Sequence, residues 1–226
     1  MAECQYPRNP YKSAGTLIAN DFNISVKGNW TNNVSSGAFT AGNGSVTFNG
    51  NSALAIGGTA STTFNNCTAA NTASTVTLNV NSIISGNLSV SGGTFDLGSF
   101  TANRATAGGI LTVSNNAFLK IGGTNSYPSN YATNTLAVAS TVEYSGTAQT
   151  VAAQLYGNLK LSSASGAVVK TFPSVALTIA GNLISITGPG SDVSFTAAAD
   201  ISINGNVSIG AGTTFNGGSL YTQHCW

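Results

Sequence analysis

Carboxylates are the side chains of this sequence with the most direct route to catalysis. The chain carries six Asp and Glu residues in 226, and glycoside hydrolysis needs two carboxyl groups about 5–10 Å apart. Asp192 and Asp200 are eight residues apart, so in a repetitive β-fold they could fall on successive faces of one turn. Nothing in the spacing brings them within catalytic distance. The pattern favours solvated or turn carboxylates, and we predict no catalytic residue.

Histidine and cysteine offer little further chemistry. His224 is the single histidine and lies two residues from the end of the sequence, so a Ser-His-Asp or Cys-His arrangement would depend on a tail residue. Cys4, Cys67 and Cys225 are odd in number, so at least one thiol is unpaired or pairs between chains. These residues are too few and too scattered for a zinc site, and we predict no metal site.

Cofactor binding is also not predicted, although an isolated structural calcium is left open. The glycine- and aspartate-rich repeat of calcium-binding β-rolls is approached once, at residues 92–96, with Phe95 where a glycine belongs.

Aromatic side chains are the candidates for ligand binding, because a ring face can stack on a sugar. We select four of them, Trp30, Tyr127, Tyr131 and Tyr156. Tyr127 and Tyr131 lie in the longest irregular segment, residues 124–134, and loops on a repetitive scaffold often carry function.

Threonine could serve a different kind of surface. A regular threonine ladder on a flat β-face would favour ice binding, but the threonines show no fixed place in each repeat, which favours a generic solvated face. The positions considered are Thr47, Thr62, Thr63, Thr77, Thr213 and Thr214.

Composition narrows the class of protein. Charged residues make up only 6% and the net charge is +1, so the clustered Lys and Arg that bind nucleic acid or anionic membranes are lacking. No run of about 18 apolar residues is present, and we expect no membrane insertion. An apolar content of 42% argues against disorder. Ser, Thr and Asn must supply the surface polarity, which is typical of extracellular β-proteins.

Internal repeats dominate the chain. A Gly-Asn-apolar phrase recurs and opens a short alternating segment each time, and its last two copies are 24 residues apart. Repetition at such a period predicts stacked structural units. The copies are Gly28-Asn29-Trp30, Gly86-Asn87-Leu88, Gly157-Asn158-Leu159, Gly181-Asn182-Leu183 and Gly205-Asn206-Val207.

A longer repeat relates the two halves of the chain. Residues 45–50 align with residues 141–146, and residues 64–68 align with residues 156–160, at offsets of 96 and 92 residues. This alignment places Cys67 where the second half has Leu159, and predicts a buried thiol that behaves as a small hydrophobe.

Apolar and polar residues alternate in segments of three to five residues separated by Gly, Asn and Ser, which predicts strands and leaves no room for helices. We predict an all-β fold, a right-handed parallel β-helix (β-solenoid) with turns of about 24 residues. Gly and Asn should occupy the corners, where a positive φ costs least. An antiparallel β-sandwich is the alternative.

The expected domain organisation is simple. Residues 1–13 form an N-terminal extension or cap, residues 14–220 a single β-solenoid repeat domain, and residues 221–226 a C-terminal tail. We expect the chain to be part of a longer secreted protein.

Several phrases of the sequence resemble a known class of repeat. They are similar to the long repeat regions of secreted cell-surface proteins and adhesins of Bacteroidota and related bacteria, over roughly residues 15–220. Cys67 departs from the Leu or Val expected there, and the ending at residues 221–226 is also unusual. The phrases are GNWTNN (28–33), SVTFNG (45–50), TTFNNCT (62–68), STVEYSGTAQTV (140–151) and GNLKLSSASG (157–166).

This resemblance implies a secreted or cell-surface bacterial protein. We therefore expect a non-enzymatic structural or adhesive segment, a stalk or adhesin, whose partners are surface glycans or other surface proteins. Exposed sheet edges also predict end-to-end or side-by-side self-association. A polysaccharide-binding or polysaccharide-degrading β-helix and an ice-binding β-solenoid are the alternatives.

Overall fold

The computed structural model describes residues 15–186 and 192–216, and it is a β-solenoid of about nine turns with successive turns about 22 residues apart. All strand pairings in these residues are parallel. The predicted parallel β-helix is confirmed, and the antiparallel sandwich is wrong. Cys4, Cys225, His224 and the predicted extension and tail lie outside the described residues.

One face of the solenoid, here called face A, is a sheet of six strands in the first two thirds of the chain. Each strand pairs with the strand of the next turn, so the sheet grows along the axis of the solenoid. Its strands are β2 (Ile24–Val26), β5 (Ser45–Phe48), the first part of β8 (Asn66–Leu78), the first part of β10 (Leu88–Asp96), β12 (Gly108–Val113) and β14 (Tyr131–Leu136).

A second face, face B, runs almost the whole described length. The long strands β8 and β10 turn the corner from face A to face B without a break. Besides their second parts, face B contains β3 (Trp30–Asn32), β6 (Leu54–Gly58), β13 (Phe118–Ile121), β15 (Thr141–Tyr144), β18 (Asn158–Leu161), β21 (Leu183–Ser185) and β24 (Val207–Ser208).

Shorter sheets complete the turns. They are the pair β1 (Leu17–Ile18) and β4 (Phe39–Thr40), the sheet β7 (Thr62–Phe64), β9 (Ser82–Ile84) and β11 (Ala102–Arg104), the sheet β16 (Gln149–Thr150), β19 (Val168–Thr171), β22 (Val193–Thr196) and β25 (Thr214–Asn216), and the sheet β17 (Leu155–Tyr156), β20 (Leu177–Ile179) and β23 (Ile201–Ile203).

The core is built from the inward residue of each strand, stacked on the inward residue of the next turn. Alternation along each strand sends every second side chain inward, and parallel register brings these side chains into columns. A single turn could not bury them, whereas stacking makes one continuous core. The inward column of face B is Leu54, Val76, Phe95, Leu119, Val142, Leu159 and Leu183, all buried.

Cys67 occupies a core position, as predicted. It is buried and unpaired between Val46 and Leu88 in the inward column of face A, and burial raises the pKa of its thiol to about 12. Its sequence equivalent Leu159 is also buried, but on face B. Four turns of about 22 residues use only about 88 of the 92 residues between them. The remaining residues carry the second copy around the corner to the next face.

The Gly-Asn phrases form corners through the asparagine side chains. Asn182 N–H donates to Oδ1 of Asn158 at 2.9 Å, and Asn206 N–H donates to Oδ1 of Asn182 at 2.8 Å. A Cβ on Gly181 would lie 2.5 Å from Asn158 Oδ1, so glycine is needed beside the asparagine column. The predicted reason, a positive φ, holds instead for asparagines such as Asn116.

Candidate binding surfaces

Trp30 is the predicted ligand-binding residue that remains partly accessible. Its ring centroid lies 4.8 Å from that of Phe39 and 5.3 Å from that of Phe64, and its Nε1–H donates to Thr62 Oγ1 at 3.0 Å. It also lines an open cleft of about 420 Å³ that includes Leu17. One part of the ring is therefore fixed in the core, and another part borders this cleft.

The three predicted tyrosines are core residues. Tyr127, Tyr131 and Tyr156 are 6%, 8% and 0% exposed, so their ring faces are not open to a sugar in this structure. Tyr131 Oη–H donates to Ala102 O at 2.8 Å. The structure does not place Trp30 and the tyrosines together in one lined site.

Tyr156 belongs to a buried polar pair with Tyr144. Their hydroxyl oxygens are 2.9 Å apart, Tyr156 donates to Ala152 O, and Ala152 N–H donates to Tyr144 Oη at 3.0 Å. Burial raises the pKa of Tyr144 to about 12 despite these hydrogen bonds. Both tyrosines occupy inward positions, which strand alternation alone could have indicated.

An uninterrupted column of hydroxyls faces outward on face A. One Ser or Thr from each of six strands lies in register with the next, at the spacing of about 4.7–4.9 Å that separates neighbouring strands. We call this set the hydroxyl column: Ser25, Thr47, Thr68, Ser89, Thr112 and Thr135.

The hydroxyl column corrects the expectation that threonines have no fixed place in each turn. Thr47 does recur, but serine substitutes in two turns and the spacing varies from 21 to 23 residues, which hides the period. Thr62 points inward and is buried, and Thr77 lies on face B. Thr213 and Thr214 are at the last described strand. A shorter hydroxyl run is formed by Thr150, Thr171 and Thr196.

A row of alternating charges crosses face B, and sequence reasoning missed it. Asp96, Lys120, Glu143 and Lys160 are register partners on four consecutive strands. We call them the charge ladder. Lys120 Nζ lies 2.9 Å from Asp96 Oδ2, and Lys160 Nζ lies 3.0 Å from Glu143 Oε2. These four residues are nearly a third of the charged residues of the chain, seven basic and six acidic.

The charge ladder borders shallow clefts of about 400 Å³ on face B. Ser162 Oγ–H donates to Glu143 Oε1 at 2.6 Å. Burial lowers the pKa of Lys120, but the hydrogen bond and negative charge of Asp96, together with the charge of Glu143, outweigh that effect and raise it above 10.5. Each carboxylate is thus already engaged by a lysine of the same chain, an arrangement for binding or register rather than acid–base catalysis.

Lys170 is the second charged feature that sequence reasoning missed. Its side chain is fully buried, and its Nζ donates to Gly146 O at 2.7 Å, to Thr147 O at 2.9 Å and to Gln149 Oε1 at 2.7 Å. Burial lowers its pKa to about 8, and the charge of Glu143 offsets part of that effect. All three ammonium hydrogens are used, so Lys170 holds neighbouring turns together.

The remaining candidates for chemistry stay apart. Asp192 and Asp200 are exposed, and their backbone carbonyls accept hydrogen bonds from Val168 and Leu177 of the preceding turn. Residues 15–186 and 192–216 contain no group of three or more His, Cys, Asp and Glu side chains that could hold a metal ion. In the same part of the chain, no helix is long and apolar enough to span a membrane.

Comparison with known proteins gives no relative. No family model matches this chain, and no curated protein or solved structure matches it either.

Proposed function

We propose that this chain is a non-enzymatic structural and adhesive segment of a secreted or cell-surface bacterial protein. The observation that carries the proposal is the hydroxyl column, an uncharged and regularly spaced array on six consecutive strands of face A, from Ser25 to Thr135. The solenoid holds this array at one end of a stack of turns and continues beyond it as a spacer.

Regular spacing suits a ligand that is itself extended and rich in hydroxyls, such as a polysaccharide chain. A single hydrogen bond of this kind contributes only about 1 kcal/mol, so useful affinity needs several at once. Threonine adds little entropic cost, because its branched side chain is stiff about χ1. An uncharged face also avoids the cost of removing water from ions.

The continuous core supports the spacer role. Each turn is stabilised mainly by its neighbours, as in other solenoids, and buried columns such as Val76, Phe95 and Leu119 connect successive turns. A stack of this kind resists bending because each turn shares a sheet with the next.

The test is binding of the purified chain to insoluble polysaccharides, with reducing-sugar release measured in the same tubes. We expect saturable binding without sugar release. The variant Thr68→Lys/Thr112→Lys places two charges in the hydroxyl column and should weaken binding at least about tenfold, or ~1.4 kcal/mol. Thr178→Lys/Ser202→Lys, two exposed positions on β20 and β23, is the matched control and should bind like the unmodified chain.

Sugar release would contradict the non-enzymatic proposal. Equal loss of binding in both double variants would contradict the assignment to face A, because a general effect of added charge would then explain the loss.

Ice binding is a second candidate, and the same hydroxyl column favours it because a flat array of fixed hydroxyls can order water in a lattice. Thermal hysteresis and inhibition of ice recrystallisation measure it directly. Activity that Thr68→Lys/Thr112→Lys abolishes, together with no binding to any polysaccharide, would favour ice binding over adhesion.

A further inference from the structure

We propose that two copies of this chain associate side by side and antiparallel through face B, with their charge ladders opposed. This inference does not rest on the proposed function, because it uses a different face. The charges of the ladder alternate along the solenoid axis, negative at Asp96, positive at Lys120, negative at Glu143 and positive at Lys160.

This order of charges is complementary to its own reverse. A two-fold axis between the strands of Lys120 and Glu143 would place Asp96 opposite Lys160 of the second copy and Lys120 opposite Glu143 of the second copy. All four facing positions then carry opposite signs. An interface of this type is isologous, with the same patch used by both copies.

The spacing also matches without adjustment. Neighbouring strands of a sheet are about 4.7–4.9 Å apart, and both copies present the same strands, so all four positions align together. Two copies laid parallel and in register would instead oppose like charges along the whole ladder. That repulsion selects the antiparallel orientation.

The surroundings of the ladder add no conflicting charge. On the adjacent outward column, Thr94, Phe118 and Thr141 lie in the same strands as the first three ladder residues. Phe118 is 39% exposed and would be covered by the second copy. The positions beyond the two ends of the ladder, Thr77 and Ile184, are uncharged.

Part of the desolvation needed for such an interface has already occurred. The side chains of Asp96 and Glu143 are only 19% and 12% exposed, because their lysines and neighbouring strands cover them. Association would join two pairs from each copy into one network, and networks are the setting in which ion pairs contribute most. The interaction should be salt-sensitive, because added ions screen partly exposed charges.

Analytical ultracentrifugation of the whole chain tests the association. We expect a reversible dimer at about 0.1 M ionic strength whose dissociation constant rises at least tenfold at about 1 M, where the screening length falls to roughly 3 Å. A monomer at every concentration up to about 0.1 mM would overturn the proposal, and so would a dimer that salt does not weaken.

A full charge inversion tests the geometry. In Asp96→Lys/Lys120→Asp/Glu143→Lys/Lys160→Glu the pairs within the chain keep opposite signs, and the inverted ladder is again complementary to its own reverse. This variant should dimerise with itself, but an antiparallel pair with the unmodified chain would oppose like charges. We expect the two chains to sort, with mixed dimers below about a tenth of the total.

Mixed dimers are measured by energy transfer between differently labelled chains. Random mixing, with about half of the dimers mixed, would overturn the proposal. Lys27→Glu, an exposed position on another part of the surface, is the control and should mix at random with the unmodified chain. If the inverted chain does not fold, Lys120→Gln/Glu143→Gln replaces it. That variant should weaken the dimer at least tenfold, and an unchanged dissociation constant would overturn the proposal.

Discussion

Lys170 shows how a single charge can be kept inside this solenoid. Its ammonium group is buried but donates to three oxygens, two of them the carbonyls of Gly146 and Thr147 in the preceding turn. Gln149, which accepts the third hydrogen bond, also donates to Ile121 O and Asn125 O one turn further back. One cation and one amide thus join three turns where the core is polar.

We predict that Lys170→Met lowers the free energy of unfolding by about 2–4 kcal/mol at pH 7, because buried oxygens lose their donor. The loss should grow as the pH rises from about 8 to 10.5. The folded-state pKa of Lys170, about 8, is below the ordinary 10.5, so in this range the unfolded chain binds the proton and the folded chain does not, which stabilises the unmodified protein relative to the variant.

Chemical denaturation at several pH values measures this difference, and titrations shared by both proteins cancel. Exposed Lys27→Met is the control and should change stability by less than about 0.5 kcal/mol at any pH. A difference between Lys170→Met and the unmodified chain that shrinks as the pH rises above 8 would contradict the prediction.

At the scale of elements, the corners are as structured as the strands. Asn158 Oδ1 accepts from the backbone N–H and from Nδ2 of Asn182, at 2.9 and 3.0 Å, and its own Nδ2 donates to Ser140 O at 3.0 Å. The side chain of Asn158 therefore continues the hydrogen bonding between turns where the strand ladder changes direction.

Asn158→Ala should cost about 2–3 kcal/mol of stability, at about 1 kcal/mol for each of the three hydrogen bonds lost. Denaturant unfolding measures this cost. Asn204→Ala is the matched control: Asn204 is exposed in the last part of the solenoid, and its side chain makes no hydrogen bond within the described residues. Equal, small effects of the two substitutions would show that the asparagine column is not a source of stability.

Strand positions could be predicted from the sequence, whereas the surface columns could not. Alternation is a local signal, and it located strands such as β5 and β15 and the core position of Cys67. A surface column depends on register between turns, which is a non-local property. The charge ladder has spacings of 24, 23 and 17 residues, so no fixed period reveals it.

The binding residues were harder to predict for a related reason. Tyr127 and Tyr131 looked accessible because their segment is rich in Asn, Ser and Pro. In the structure Tyr131 begins strand β14, and both rings fill the core. Composition indicates whether a segment is irregular, but it does not tell on which side of the chain the core lies.

At the scale of the whole molecule, stability should vary along the axis. In the central turns the inward residues Phe95, Leu119 and Val142 are almost completely buried, with a neighbour on each side. Towards the ends of the described chain, Leu17 and Phe215 are 50% and 46% exposed. Because each turn is stabilised mainly by its neighbours, the end turns have fewer contacts to lose on opening.

We therefore predict that amide hydrogen exchange is slowest in β10, β13 and β15 and fastest in β1 and β25, with intermediate rates between them. Phe95→Ala should cost about 3–5 kcal/mol and speed exchange in the turns on both sides. Phe215→Ala is the matched control, and it should speed exchange only near β25. Uniform protection along the axis, or a Phe95→Ala effect confined to β10, would mean that the turns do not depend on their neighbours.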